Sequence, residues 1–267
     1  MYNFLAKLLN FIESSTDHTA SEIVIAEYIL RNVQEIPRMS IYEVAAACHT
    51  SPATITRFCK RFENISFKEL KEYARNFIEF NDSEVLFQQI ESTIKEDQLF
   101  TYFSELQTAL TETIELLDPR QLLDVVKQIH LAPKVTFFGV TFSHLLARNA
   151  QFKFMRLGKY ASSLSNHENQ LSEANSMQKS DLAIVISFSG ETRFIVRLVK
   201  VLKERGIPMI AITGNETSFL ANNAKDIILV SNRKLKSYKS PIIEEISMLS
   251  VINSIYLVYS LFVKRAE

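Results

Sequence analysis

All five glycines of this 267-residue chain, Gly139, Gly158, Gly190, Gly206 and Gly214, fall in its second half. Glycine supplies the tight turns that join strands to helices, so a long stretch without it favours helices over a turn-rich sheet. The asymmetry predicts a helical region first and an α/β region afterwards. From 134 onward, short apolar runs at 135–138, 160–164, 182–187, 209–213 and 227–230 alternate with helical patterns at 143–157, 169–177, 191–204 and 218–222. Such alternation predicts a parallel sheet of five strands covered on both faces, with ligands outside the carboxyl ends of the strands.

The glycine-free part carries its own punctuation. Ile23, Ala26, Ile29 and Leu30 repeat at helical spacing, and Pro37 marks the break that follows. Ser40 and Glu43 form a capping box ahead of an Ala-rich helix, and Ser51-Pro52 opens the next one. Residues 40–62 thus have the dimensions of a helix–turn–helix. On its second helix Ile55, Phe58, Cys59 and Phe62 share one face, which leaves Ala53, Thr54, Thr56, Arg57, Lys60 and Arg61 outward beside the cap Ser51. Small and hydroxyl residues at a helix start approach base edges, and Arg and Lys reach bases or phosphates. The formal net charge of the chain is +0, so any pull on DNA is local: Arg57, Lys60, Arg61, Lys68, Lys71 and Arg75 outweigh Glu63, Glu69 and Glu72.

From 82 to 118 the chain is acidic, with Lys95 its one base, and a stripe of Phe103, Leu106, Leu110, Thr113, Ile114 and Leu117 marks it as a helical connector. Cys48 and Cys59 lack metal-ligand spacing or a disulfide pattern and are expected to be packing residues of a protein in a reducing cytoplasm. The apolar stretch 246–263 is interrupted by Ser247, Ser250, Asn253, Ser254 and Ser260. It is read as a core or dimer helix with Met248, Ile252, Ile255, Tyr259 and Phe262 along one stripe, not as a membrane span.

The sharpest chemical signal is VISFSGET at 185–192. A hydrolase elbow would read G-x-S-x-G, which this run does not, and no His and acid stand in a recognisable triad context. Ser189 is a good cap for a helix starting near Glu191, but capping accounts for one hydroxyl only. Ser187, Ser189 and Thr192 with Gly190, joined by Gly139 and Ser143 from the first strand–helix loop, suit a phosphate held at helix N-termini.

The run RMSIYEVAAACHTSPATITRFCKRFENISFKELK at 38–71 resembles the helix–turn–helix of the RpiR family of bacterial regulators. The carriers are Met-Ser before the first helix, the Ala-rich helix, Ser-x-Ala-Thr, Arg-Phe-Cys-Lys-Arg and the late Phe-x-Glu-Leu-Lys. The second half resembles the sugar isomerase (SIS) domain that this family attaches. That resemblance implies that Ser143, Ser187, Ser189 and Thr192 grip the phosphate of a phosphosugar. Three positions depart from the family pattern: His49 and Glu63-Asn64 where glycines are common, and Thr141 in place of the second glycine of G-x-G-x-S.

The expected organisation is an all-α helix–turn–helix domain at 1–77, an acidic helical connector at 78–124, and an α/β SIS domain at 125–265. The last is a five-stranded parallel sheet with helices on both faces, flavodoxin-like. The expected function is regulation of transcription through double-stranded operator DNA, gated by a phosphorylated sugar or amino sugar. The protein is expected to be a cytoplasmic homodimer or homotetramer with no membrane, cofactor, metal or catalytic residue. Two alternatives are a regulator whose SIS domain only dimerises and a phosphosugar isomerase. The isomerase would need a general base, for which His144, His167, Glu168, Glu173, Glu244 and Glu245 are candidates.

Overall fold

The computed structural model describes residues 8–9, 11–12, 20–81, 96–235 and 241–266. They form two compact units, Met1–Leu86 and Phe87–Glu267. From Ser21 on, the described residues of the first unit run through α1 (Ser21–Arg31), α2 (Ile41–Ala47), α3 (Pro52–Glu63) and α4 (Phe67–Asn81). The Ser40 N–H donates to Glu43 Oε2 at 2.6 Å and the Glu43 N–H to Ser40 Oγ at 3.3 Å, closing the predicted capping box. His49 takes the left-handed turn between α2 and α3 at φ 52°, and Asn64 ends α3 at φ 54°. Both are residue types that tolerate this backbone. A second capping box, Ser66 with Glu69, opens α4.

The inward face of α3 is the one the spacing predicts. Ile55, Phe58, Cys59 and Phe62 are buried with Ile25, Ile29, Val44 and Leu70. Phe58 stacks on Phe62 with centroids 5.5 Å apart. Burying such an aromatic contributes about 2–3 kcal/mol. Cys48 and Cys59 are free and buried, and burial pushes the Cys59 thiol up to about 11.

The second unit begins with α5 (Glu96–Leu116) and α6 (Pro119–Leu131). It continues as β1 (Val135–Phe138), α7 (Phe142–Arg156), β2 (Ala161–Ser162), α8 (His167–Ser176), β3 (Leu182–Ile186), α9 (Arg193–Glu204), β4 (Met209–Thr213), β5 (Asp226–Leu229) and α10 (Ile242–Ala266). All strand pairs are parallel in the order β2-β1-β3-β4-β5. Side chains alternate across the sheet. Leu182, Ile184, Ile186, Ile210 and Ile212 face α6, α7 and α10, whereas Ala183, Val185, Met209 and Ala211 face α8 and α9.

Three local readings differ from expectation. The strand sought at 160–164 pairs only at Ala161–Ser162, because Asn166 already caps α8. The helix sought at 218–222 is a three-residue 3-10 turn, Ala221–Asn223, cut short by β5. The third concerns the start of α9 and belongs to the site. Part of the acidic connector expected at 78–124, residues 82–95, lies outside the described residues; the remainder is the end of α4, α5 and the first half of α6. The apolar C-terminal stretch is a helix with Met248, Ile252, Ile255 and Tyr259 buried in the core of this unit.

Candidate ligand cradle and nucleic-acid interface

In a 2-1-3-4-5 sheet the chain reverses direction of progression between β1 and β3, and the crevice at that switch point is where such folds hold ligands. Phe138 of β1 pairs with Val185 of β3, so the loops leaving these strands rise side by side. One loop is Gly139-Val140-Thr141 and the other is Ser187 to Thr192. The two serine-bearing loops singled out in the sequence therefore flank one crevice, as the β-α pattern required.

Close packing shapes the first loop. A Cβ on Gly139 would come within 2.5 Å of the Ser143 carbonyl oxygen, so the strand end lies directly against the first turn of α7. Thr141 precedes that turn at φ 52° and ψ −122°, a backbone that glycine adopts freely and threonine does not. The missing family glycine thus leaves strain, while the threonine side chain stays exposed with its hydroxyl donating to the Val140 carbonyl at 2.7 Å. Thr141→Gly is expected to stabilise the unit by about 1 kcal/mol, the left-handed penalty less the entropy a glycine adds to the unfolded chain. A thermal melt at or below the parent's would contradict the strain.

The second loop is lashed down from several sides. Ser187 is buried, and its Oγ accepts the Gly190 N–H at 3.2 Å. Ser189 is exposed, and its Oγ accepts the Glu191 N–H at 3.3 Å. Ser189 therefore shapes a turn and is not the helix cap. The helix starts two residues later than expected, at Arg193, with Thr192 as its N-cap. The reason lies in Glu191, whose carboxylate accepts the Phe219 N–H at 2.5 Å, and in Asn215, which donates to the Ser189 carbonyl at 3.3 Å. These contacts with the β4 loop hold Glu191 out of the helix. Neither Glu191 nor Asn215 was among the expected site residues.

The helices that follow the two loops, α7 and α9, start without a side-chain cap. Neither Thr141 on α7 nor Thr192 on α9 caps its helix with its side chain, whereas Asp118 caps α6 and Asn166 caps α8. Uncapped N-terminal N–H groups, with the positive ends of two helix dipoles, suit an anion.

The candidate bases are scattered in role. Glu173 is consumed by an internal network, pairing with Lys134 at 2.5 Å and accepting from Thr136 at 2.9 Å. His167 stacks on Phe194 with centroids 4.0 Å apart, fixing the start of α8 against the start of α9. Burial holds the His144 imidazole below its usual value. Glu244 and Glu245 stand at the start of α10. Because Tyr259 and Phe262 of that helix meet His130 at the far end of α6, its start lies at the carboxyl edge of the sheet. Burial pushes both carboxyls up. Glu168 is exposed.

In the first unit Ser51, Ala53, Thr56, Arg57, Lys60 and Arg61 are exposed and Thr54 is partly so. Ser51 caps α3, Arg57 donates to Thr54 Oγ1 at 3.3 Å, and Thr56 donates back to the Pro52 carbonyl. Arg61 differs from the rest, since it pairs with Glu22 of α1 at 2.7 Å.

The family profile described as a helix-turn-helix domain of the rpiR family matches residues 6–74, and that of the SIS domain matches residues 128–265. An uncharacterised HTH-type transcriptional regulator of Caldanaerobacter subterraneus subsp. tengcongensis is 30% identical over 250 residues, 92% of this chain and 87% of the relative. The chain belongs to the RpiR family. The HTH-type transcriptional regulator HexR of Pseudomonas aeruginosa is 30% identical over 210 residues, 78% of this chain and 74% of HexR. Among solved structures, Vibrio vulnificus NanR complexed with ManNAc-6P superposes with a TM-score of 0.57 at 19% identity, covering 96% of this chain and 90% of that one. The sugar isomerase domain of an RpiR transcription factor from Sphaerobacter thermophilus gives a TM-score of 0.52 at 21% identity, covering 62% of this chain and 97% of that one. At these identities the superpositions establish the fold. Family membership makes this RpiR-type chain a DNA-binding regulator of transcription with a SIS domain, not an isomerase.

Proposed function

We propose that this RpiR-family regulator senses a phosphorylated sugar or amino sugar in the β1/β3 crevice and changes its affinity for operator DNA accordingly. The observation that carries the reading is the pair of loops at the switch point, which set hydroxyls beside two helix starts without side-chain caps. Gly139, Ser143, Ser187, Ser189, Gly190 and Thr192 form the cradle in this reading. Ser187 and Gly190 shape it, and Ser143, Ser189 and Thr192 present hydroxyls. NanR, a structural neighbour, was solved with ManNAc-6P, which supports a phosphosugar class without fixing the sugar. The DNA contacts fall to Ser51, Ala53, Thr54, Thr56, Arg57, Lys60 and Arg61, the last once released from Glu22. A homodimer pairs two such heads for a palindromic site. Its contact is assigned to the outward sides of α7 and α10, where Phe152, Met155, Leu257 and Leu261 are exposed. The site of action is the cytoplasm.

The test is fluorescence anisotropy with DNA from upstream of the chain's own and neighbouring genes, at fixed salt, across a phosphosugar panel. Selective binding shifted by one phosphosugar is expected. Ser189→Ala should weaken that sugar about tenfold or more, since a lost hydrogen bond to a charged group costs about 1.5–3 kcal/mol. Ser187→Ala should add to the loss by releasing the Gly190 N–H that shapes the loop. Selective DNA binding that no phosphosugar alters or stabilises would leave a SIS domain that only dimerises.

A further inference from the structure

The segment that follows β5 touches two things at once. On one side it is fastened to α5. The Ser231 N–H donates to Thr113 Oγ1 at 3.0 Å, and the Ser231 hydroxyl donates to Glu112. Arg233 spans two carboxylates, donating from Nη1 to Glu105 at 2.9 Å and from Nη2 to Glu112 at 2.6 Å. Glu105 and Glu112 are seven residues apart, so both lie on one face of α5, two turns from each other. Arg233 Nε also donates to Glu112 at 3.2 Å, so Glu112 receives two guanidinium donors and a hydroxyl. Such forked, charge-assisted bonding resists movement far better than a solitary surface pair.

On its other side the segment reaches the cradle. Lys234, the next residue, holds its ammonium 5.2 Å from the ring centroid of Phe188. Phe188 sits between Ser187 and Ser189, its carbonyl accepts from Thr213 Oγ1 at 3.0 Å, and its ring lies against Gly214. The helix gripped by Arg233 is the first described element of this unit, next in the chain after the described part of the DNA-binding unit.

We infer that residues 231–234 relay occupancy of the cradle to α5, with Lys234 reading the position of Phe188 and Arg233 transmitting it to Glu105 and Glu112. The inference rests on the sensing function proposed above and adds the route by which the signal leaves the site. An anion entering the crevice attracts Lys234 away from the Phe188 ring, and a shift of Lys234 moves the guanidinium bonded to its neighbour. A ligand that changes this arrangement has differential contacts in the two states, as coupling requires.

Hydrogen–deuterium exchange on the full chain tests the relay without DNA and without knowledge of the natural sugar. The probe is inorganic phosphate, compared with chloride at equal ionic strength. In the parent, phosphate is expected to change exchange in both the 187–192 loop and the 105–116 part of α5, the latter about fivefold or more, the low end of ordinary coupling between sites. In Arg233→Ala the loop response should persist and the α5 response should vanish. Glu105→Gln with Glu112→Gln, which leaves Arg233 in place, should behave the same. A thermal melt checks that each variant remains folded. A loop response without an α5 response in the parent, or an α5 response undiminished in both variants, would overturn the relay while the cradle stands. No response at either place would remove the cradle and the relay together.

Discussion

Gly190→Ala is expected to cost the second unit about 3 kcal/mol, from a left-handed backbone penalty of about 1–2 kcal/mol and overpacking of similar size. At this unit's length that corresponds to a fall of about 10 °C in melting temperature. Gly190 has φ +65°, and an added Cβ would stand 2.2 Å from Ser218 Oγ, 2.5 Å from Ser218 Cβ and 3.2 Å from Leu220 Cβ. Ser218 cannot retreat, because it is fully buried and its Oγ accepts the Ala221 N–H at 3.2 Å. Leu220 is tied to Gly190 as well, its N–H donating to the Gly190 carbonyl at 3.2 Å. Phosphosugar binding should fall with the fold of the loop. Gly158→Ala is the control. It has φ +76° but nothing within 4 Å of the new carbon, so it should lose only the backbone part. Adding Ser218→Gly to Gly190→Ala should recover the steric part. Equal losses in the Gly158 and Gly190 variants would show that crowding against Ser218 plays no role.

Arg57→Ala and Lys60→Ala are expected to be the most damaging substitutions for DNA binding. Both side chains are exposed on α3, opposite the buried Ile55, Phe58 and Cys59. Removing a base-reading arginine costs about 1–3 kcal/mol, roughly fivefold to 150-fold in operator affinity, and relaxes selectivity at one base pair. Removing a phosphate-binding lysine weakens all sequences alike and lowers the slope of log affinity against log salt by about 0.9. Titrations at several salt concentrations, against operator and scrambled DNA, separate the two roles. Arg61→Ala should do less, because Glu22 already engages that guanidinium at 2.7 Å. Operator binding unchanged in both the Arg57 and Lys60 variants would mean that α3 is not the reading helix.

The parts of the fold that were legible in the sequence are those set by near neighbours. Ser40 with Glu43, Ser51 with Pro52, and the i, i+3, i+4, i+7 spacing of Ile55, Phe58, Cys59 and Phe62 all act within one or two helical turns. Their hydrogen bonds and burial follow as read. Likewise the apolar runs of β3 and β4 coincide with their strands, because a strand buried on both faces has little choice but to be continuously apolar. What escaped was decided at long range. Ser189 looked like a helix cap, but the Glu191 carboxylate bonds to Phe219, 28 residues on, and delays the helix. The grip of Arg233 on Glu112 spans 121 residues, and no local pattern distinguishes those charges from solvated ones. The cradle stands between the two. Its hydroxyls were readable as motifs, and the β-α alternation put the two loops above neighbouring strand ends, as the β1–β3 pairing has them. The Glu191 and Asn215 contacts that shape the second loop were not readable.

The strand order has a consequence for how the protein comes into being. β1 sits between β2 and β3, so its edges stay open until chain lying 26 and 47 residues further on arrives, as the Val135–Ala161 and Val135–Leu182 pairings require. The first unit is finished earlier, since its buried core, from Leu8 to Ala74, lies wholly ahead of β1 in the chain. Folding slows as contacts become less local, and domains emerging first from the ribosome generally fold first. The DNA-reading head is therefore complete while the sheet beneath the cradle is still unassembled. During synthesis the slow step belongs to the half of the chain that holds the glycines.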